Sequence, residues 1–273
     1  MPDIRESVRW QNVNKLTREQ VDKLNNILFF ICFLVSLSTC ILITYTMHSV
    51  LCTVFNMEDE VDVEIGKGET FVCIGDSITD CNRRDSCAPL GFGYVKMFND
   101  MLLAISPQKQ IKVINKGISG DTTRDLKGRW GDDVIYHKPQ WLSVLIGINN
   151  VHRVRERIPI WKELVPENYE RDYRMILERT SKLKCNIILM EPFYISTDNG
   201  DQWRKEILKD LQVYRRIVWK LSKEFKTKLI KLHDIFGNGM KFNDPETFAP
   251  EPVHPNLTGH QLIAMSLLEA VSK

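Results

Sequence analysis

The sequence predicts an α/β protein, an open parallel β-sheet of five strands covered by helices on both faces, preceded by one transmembrane helix. Two observations carry this. From residue 58 onward, short near-continuous apolar runs alternate with stretches of helical periodicity, the pattern of strands buried on both faces and joined by crossover helices. Before residue 58, no Asp, Glu, Lys or Arg occurs between Lys23 and Glu58, and residues 27–47 are apolar at 16 of 21 positions. The chain is therefore divided into an amino-terminal segment (1–24), an anchor with its linker (25–57) and one folded domain (58–273), which is long enough to bury a core of its own.

A helix over 27–47, at 1.5 Å rise per residue, spans about 30 Å, the thickness of a bilayer's hydrocarbon core. Its polar members are Ser and Thr, and neither Pro nor Gly interrupts it. A buried helix of a soluble domain rarely stays apolar on every face over such a length. A cleaved signal peptide would have a shorter leader and a small-x-small site after the run, and neither is present. A lipoprotein anchor at Cys40 or Cys52 would follow a small residue, not Thr39 or Leu51. The amino-terminal flank carries Arg5, Arg9, Lys15, Arg18 and Lys23, against only Lys67 on the other side before residue 75. By the positive-inside rule the expectation is a single-pass membrane protein, amino terminus cytoplasmic, with the large domain extracytoplasmic or lumenal.

Within the domain, strands are expected at 70–74, 111–114, 141–146, 186–190 and 228–232. Tyr169, Tyr173, Ile176, Leu177 and Thr180 share one helical face, and Ile207, Leu211, Tyr214, Val218 and Leu221 another. Stripes of this kind pack against a core. Thr258 is the expected N-cap of a last helix ending at Val271. The 273 residues are 43% hydrophobic and 26% charged, with 37 Lys and Arg against 35 Asp and Glu. That composition excludes a disordered, collagen-like or disulfide-dense chain. A net charge of +2 without a basic tract gives no reason to expect a nucleic-acid partner. Seven Cys without a Cys-x-x-Cys pair give no zinc-site spacing, so no metal is expected.

Parallel sheets place ligands at the carboxyl ends of their strands, and there the polar motifs gather. The first strand runs into Gly75-Asp76-Ser77-Ile78-Thr79-Asp80. A Ser there stands free of the sheet as a nucleophile does, although Gly, Asp and Ser also make ordinary turns and caps. The second strand leads to Gly117-Ile118-Ser119-Gly120, whose glycines let the backbone bend and present the N–H groups that an oxyanion needs. The third leads to Gly147-Ile148-Asn149-Asn150, where an Asn side chain offers an N–H2 donor. Near the carboxyl end comes Glu251-Pro252-Val253-His254. A His three residues after a carboxylate can have one ring nitrogen oriented by it while the other accepts a proton.

In this order, these four blocks resemble those of the SGNH/GDSL hydrolase superfamily: Gly-Asp-Ser, Gly-x-Ser-Gly, Gly-x-Asn-Asp and Asp-x-x-His. The likeness covers about residues 68–270 and is nearest to a bacterial-type branch of small GDSL esterases similar to carbohydrate acetyl esterases. Leu90-Gly91-Phe92-Gly93-Tyr94-Val95, Arg129-Trp130 and Met190-Glu191-Pro192-Phe193 also look like that branch. The resemblance implies a flavodoxin-like three-layer α/β/α sandwich and a serine esterase acting on small acyl, above all acetyl, esters of carbohydrate, without cofactor. It makes Ser77 the nucleophile, His254 the base and Glu251 the residue that orients it. The oxyanion donors it implies are the N–H groups of Ser77 and Gly120 and the side chain of Asn149. Two positions depart from the pattern. Glu251 replaces Asp, so that the loop must retreat or the pairing loosen, and Asn150 replaces an Asp whose charge would brace the loop. Two other readings stay open: a lipid acyl hydrolase, and a binding module that has lost catalysis and is presented on a membrane.

Other residues are assigned bland roles. His137, His152 and His233 lack catalytic partners in sequence, and His260 is expected to be structural. Cys81 and Cys87 would close a seven-residue loop if oxidised. Asn256-Leu257-Thr258 matches a glycosylation acceptor but adjoins the proposed base, and is read as fortuitous.

Overall fold

The computed structural model describes residues 62–197 and 200–273. The expected membrane span at 27–47 lies outside them, and among the described residues no helix is long and apolar enough to cross a membrane. Five strands form one parallel sheet: β1 (Thr70–Gly75), β2 (Lys112–Gly117), β3 (Trp141–Leu145), β4 (Asn186–Met190) and β5 (Lys228–Ile230). Their order is β2-β1-β3-β4-β5, which is flavodoxin-like, with a topological switch point between β1 and β3. The register sets Gly75 beside both Gly117 and Leu145, so β1, β2 and β3 end together and their following loops share one crevice.

The sheet's position follows from its residues. Phe71 to Ile74 and every residue of β3 are buried, as central strands covered on both faces must be. The edge strands are short or partly exposed and begin with Lys112 and Lys228, which blunts pairing with another chain. Helix α1 (Ser77–Asp80) is a single turn. α2 (Tyr94–Ile105) packs against α8 (Leu257–Val271), while α3 (Thr123–Asp133) packs on α5 (Pro166–Thr180), and α5 on α6 (Gln202–Phe225). The two groups cover opposite faces, as right-handed crossovers to either side of β1 require. α4 (Ile148–Arg155) also lies on α6, and α7 (Leu232–Gly239) follows β5. Both predicted helical stripes face the core, on α5 and α6.

Three boundaries differ from the sequence reading by two residues or more. β2 continues through Asn115 to Gly117 because the buried Asn115 amide donates to the carbonyls of Thr79 (2.6 Å) and Leu90 (2.7 Å), a satisfied polar group that an apolar pattern does not register. β5 stops at Ile230, since Leu232 already opens α7, where the buried Glu191 carboxylate accepts the His233 N–H at 2.9 Å. The N-cap of α8 is Asn256, not Thr258. The Asn256 side chain accepts from Gly259 N at 3.1 Å and donates to the carbonyls of Glu246 and Thr247. Both hydrogens of that amide are thus used.

Candidate active site

The turn that carries Ser77 is built by its neighbours. Asp76 caps α1 by accepting the Ile78 N–H at 3.1 Å, and Cys81 ends it in the left-handed region at φ +44. The turn lies directly on β2: a Cβ added to Gly117 would come within 2.2 Å of the Asp80 nitrogen. Burial pushes the Asp76 carboxyl up to about 7, and the nearby Asp121 adds to the shift. Ser77 itself is half-buried at the crevice.

Across the crevice, the Ser77 hydroxyl lies 2.9 Å from His254 Nε2, although 177 residues separate them in sequence. His254 Nδ1 lies 2.5 Å from Glu251 Oε1. That contact assigns the Nδ1 proton to the carboxylate side and leaves Nε2 as the acceptor for the hydroxyl. Glu251 also accepts the N–H of His254 on Oε1 and that of Val253 on Oε2, both at 2.8 Å. The pairing is therefore not loosened by the longer side chain, because the loop curls back onto its own carboxylate. Pro252 contributes its carbonyl to Ile195 N at 2.9 Å, which ties the loop to the segment after β4.

The loop after β2 holds Gly120 at φ +85, a conformation that favours glycine. Among the described residues, neither Ser77 N–H nor Gly120 N–H donates to a protein acceptor. The Asn149 side chain donates one N–H to the Asp121 carbonyl at 3.0 Å, leaving its second hydrogen uncommitted. Asn150 is fully buried; its Oδ1 accepts Thr123 N at 3.3 Å and its Nδ2 donates to Thr123 Oγ1 at 3.2 Å. The expected loss of a brace at this position does not occur, since a neutral amide supplies both an acceptor and a donor to the start of α3.

Several residues at the site are given no role by the sequence reading. Asp80 bonds to Ser119, and Arg153 Nη2 donates to the Gly120 carbonyl at 2.6 Å. Arg129 joins the carbonyl of Gly75 to that of Lys116 and to the Asp121 carboxylate. Asp80 and Arg153 stand three and four residues after Ser77 and Asn149, spacings that share a helix face, and that was the readable hint. His152, given no partner in sequence, sits in α4 with its ring edge-on to Tyr194 and is held below its ordinary pKa by burial. His260 is buried, accepts the Tyr94 N–H on Nδ1 at 3.3 Å and lies 3.5 Å from Cys81 Sγ through Nε2. Cys81 and Cys87 are both free thiols. The cleft at Ser77 and His254 holds about 260 Å³ and is walled by Ile78, Cys81, Phe92 and Pro255.

The GDSL-like Lipase/Acylhydrolase family matches residues 73–262. The chain is 38% identical over 216 residues to an acetylxylan esterase of Geobacillus stearothermophilus, covering 77% of this chain and 96% of that protein. The crystal structure of that esterase superposes with a TM-score of 0.68 over 76% of this chain and 96% of its own, at 39% identity. LAE5, an α/β hydrolase enzyme from the metagenome of Lake Arreo in Spain, gives a TM-score of 0.69 at 31% identity, over 77% and 98% of the two chains. Thioesterase 1/protease 1/lysophospholipase L1 of Escherichia coli is 24% identical over 196 residues, which cover 72% of this chain and 80% of that protein. The chain belongs to the GDSL-like lipase/acylhydrolase family, and with that membership it is a carboxylic ester hydrolase.

Proposed function

We propose that the protein is a serine esterase that removes small acyl groups, acetyl foremost, from carbohydrate. The observation that carries this reading is the chain of contacts from the Ser77 hydroxyl through His254 to Glu251. Ser77 attacks the ester carbonyl while His254 Nε2 takes its proton, and Glu251 holds the imidazole in the required tautomer. The negative charge that develops on the carbonyl oxygen is met by the N–H groups of Ser77 and Gly120 and the Asn149 amide. His254 then returns the proton to the leaving alcohol, and water releases the acid by the same path. A cleft of about 260 Å³ lies at the small end of ligand sites, which favours a short acyl group. The Geobacillus relative is an acetylxylan esterase, and its solved structures include catalytic variants in which a serine, a histidine or an aspartate is replaced by alanine.

The test is labelling by a fluorophosphonate together with hydrolysis of nitrophenyl esters. Ser77→Ala is expected to abolish labelling and hydrolysis with the fold unchanged, and a variant with full activity removes Ser77 from the scheme. Acetyl esters are expected to turn over faster than long-chain esters; the reverse order selects the lipid acyl hydrolase. The proposal includes attachment to a membrane through residues 27–47, amino terminus cytoplasmic. It is supported by the apolar, charge-free run and the cations before it. In sealed vesicles of native orientation the domain should resist protease added from the cytoplasmic side, and its digestion there overturns this topology.

A further inference from the structure

The Ser119–Gly120 peptide, whose N–H is one proposed oxyanion donor, is held from both ends. On one side Arg153 donates to the Gly120 carbonyl at 2.6 Å. On the other, Asp80 Oδ2 accepts the Ser119 N–H at 2.9 Å and the Ser119 hydroxyl at 3.1 Å. Asp80 is the last residue of the turn that begins with Ser77. We propose that Asp80 is a positioning residue: it clamps Ser119 to the nucleophile's own turn, and so fixes where the Gly120 N–H stands relative to the Ser77 hydroxyl. The inference rests on the reading of Ser77 as nucleophile and Gly120 as oxyanion donor.

Three features support it. The turn cannot move independently of β2, because it sits against Gly117 with no room for a Cβ and because Asn115 donates to the Thr79 carbonyl. A carboxylate anchored in that turn therefore transmits a fixed position to the loop. Ser119 is itself exposed, so burial does not hold it, and the Asp80 carboxylate is what does. Finally, Asp80 is an expensive residue to keep for stability alone. It is 2% exposed and its Oδ1 is buried without a hydrogen-bond partner among the described residues, an arrangement that costs free energy. Burial pushes its carboxyl up, but the Ser119 bonds and the Arg84 guanidinium at 3.1 Å outweigh that and hold it below the ordinary range, so that it is ionised at neutral pH. Two donated bonds to a charged acceptor are stronger than bonds to a neutral one.

The test uses the full chain with Asp80→Asn, Ser119→Ala and the double variant, each assayed on nitrophenyl acetate alongside fluorophosphonate labelling. Misplacement of a donor by about 1 Å can cost on the order of a hundredfold in rate, so Asp80→Asn is expected to lower kcat by about tenfold or more with KM nearly unchanged. Ser119→Ala should lower kcat less, and the double variant should be no worse than Asp80→Asn, because both act through one contact. A folded Asp80→Asn with wild-type kcat, or a double variant whose loss is the product of the two single losses, overturns the proposal. If Asp80→Asn does not fold, Ser119→Ala decides: a lowered kcat at unchanged melting temperature supports the clamp, and a wild-type kcat overturns it. Wild-type protein that neither labels nor hydrolyses overturns the esterase reading itself, whereas labelled, active wild type with undiminished variants overturns the clamp alone.

Discussion

His260 is the group whose protonation the fold resists most plainly, and the consequence can be worked through. It is 2% exposed, takes the Tyr94 N–H on Nδ1 and faces Cys81 Sγ with Nε2. Burial, with the neighbouring His254 adding to it, pushes its pKa down to about 4 from an ordinary 6.5. A folded pKa below the unfolded one means that the unfolded chain binds the proton first. The stability that neutral His260 contributes is therefore complete above pH 6.5 and is lost as pH falls toward 4. By linkage the loss is about 2 kcal/mol at pH 5 and about 3 kcal/mol once pH 4 is passed. For a domain of this size that corresponds to a fall in Tm of about 2–4 °C per kcal/mol. His260→Asn keeps an acceptor for the Tyr94 N–H but does not titrate in this range. Melting temperatures of the two proteins, measured from pH 7.5 to pH 4.5, are expected to differ at neutral pH and to converge as the pH falls. Buried Asp76, whose raised pKa works in the opposite direction, is common to both and cancels in the difference. Parallel curves over the whole range would refute the reasoning.

The contacts of the proposed triad and oxyanion donors yield further expectations. Glu251→Gln is expected to harm kcat more than Glu251→Asp. The two carboxylate oxygens accept three N–H groups, and an amide would set its own N–H2 against one of them; steady-state rates of both variants decide, and equal rates would mean that Glu251 does not orient the imidazole. Asn149→Ala removes one proposed oxyanion donor, for which a loss of about a hundred- to a thousandfold in kcat is expected from the same assay. Asn150→Ala leaves the buried Thr123 N–H without its acceptor, and urea unfolding should show a destabilisation of about 1–3 kcal/mol.

Legibility in the sequence followed the kind of interaction. β1, β3 and β4 were readable because burial on both faces forces continuous apolar runs, as in Phe71 to Ile74. The far end of β2 was not, because Asn115 belongs to the interior through its hydrogen bonds and not through its polarity. The α8 boundary was missed by two residues because Asn256 and Thr258 are both good caps, and only the fold shows which side chain reaches the Gly259 N–H. At the site, Ser77, Gly120 and Asn149 stand in short motifs after strand ends, and Glu251 and His254 share one short motif just before α8, so their positions could be read. Asp80, Arg129 and Arg153 work through the backbone of Ser119, Gly75 and Gly120, partners tens of residues away. No local pattern encodes such a partner. Only the parallel register that brings the ends of β1, β2 and β3 together creates it.

That division has a physical reason. The His254 and Glu251 side chains are 56% and 46% exposed, and an ion pair in water holds little orientation by Coulomb attraction alone. Geometry must come from elsewhere, and the structure supplies it at short range: Glu251 is fastened by two backbone N–H groups of its own loop, and the loop by Ile195 and Asn256. Ser77, the proposed nucleophile, and the loop of Gly120 are fixed in the opposite way, by polar groups under the surface such as Asp76, Asp80 and Asn150. The proposed base, His254, thus rides on a self-bonded exposed loop, while Ser77 and Gly120 are set in the sheet's rim. A substitution of Asp for Glu251 changes only the first of these, so the loop is expected to follow the shorter side chain without disturbing Ser77. Substitutions under the rim have no such freedom, since each removes a partner from a group that water cannot reach.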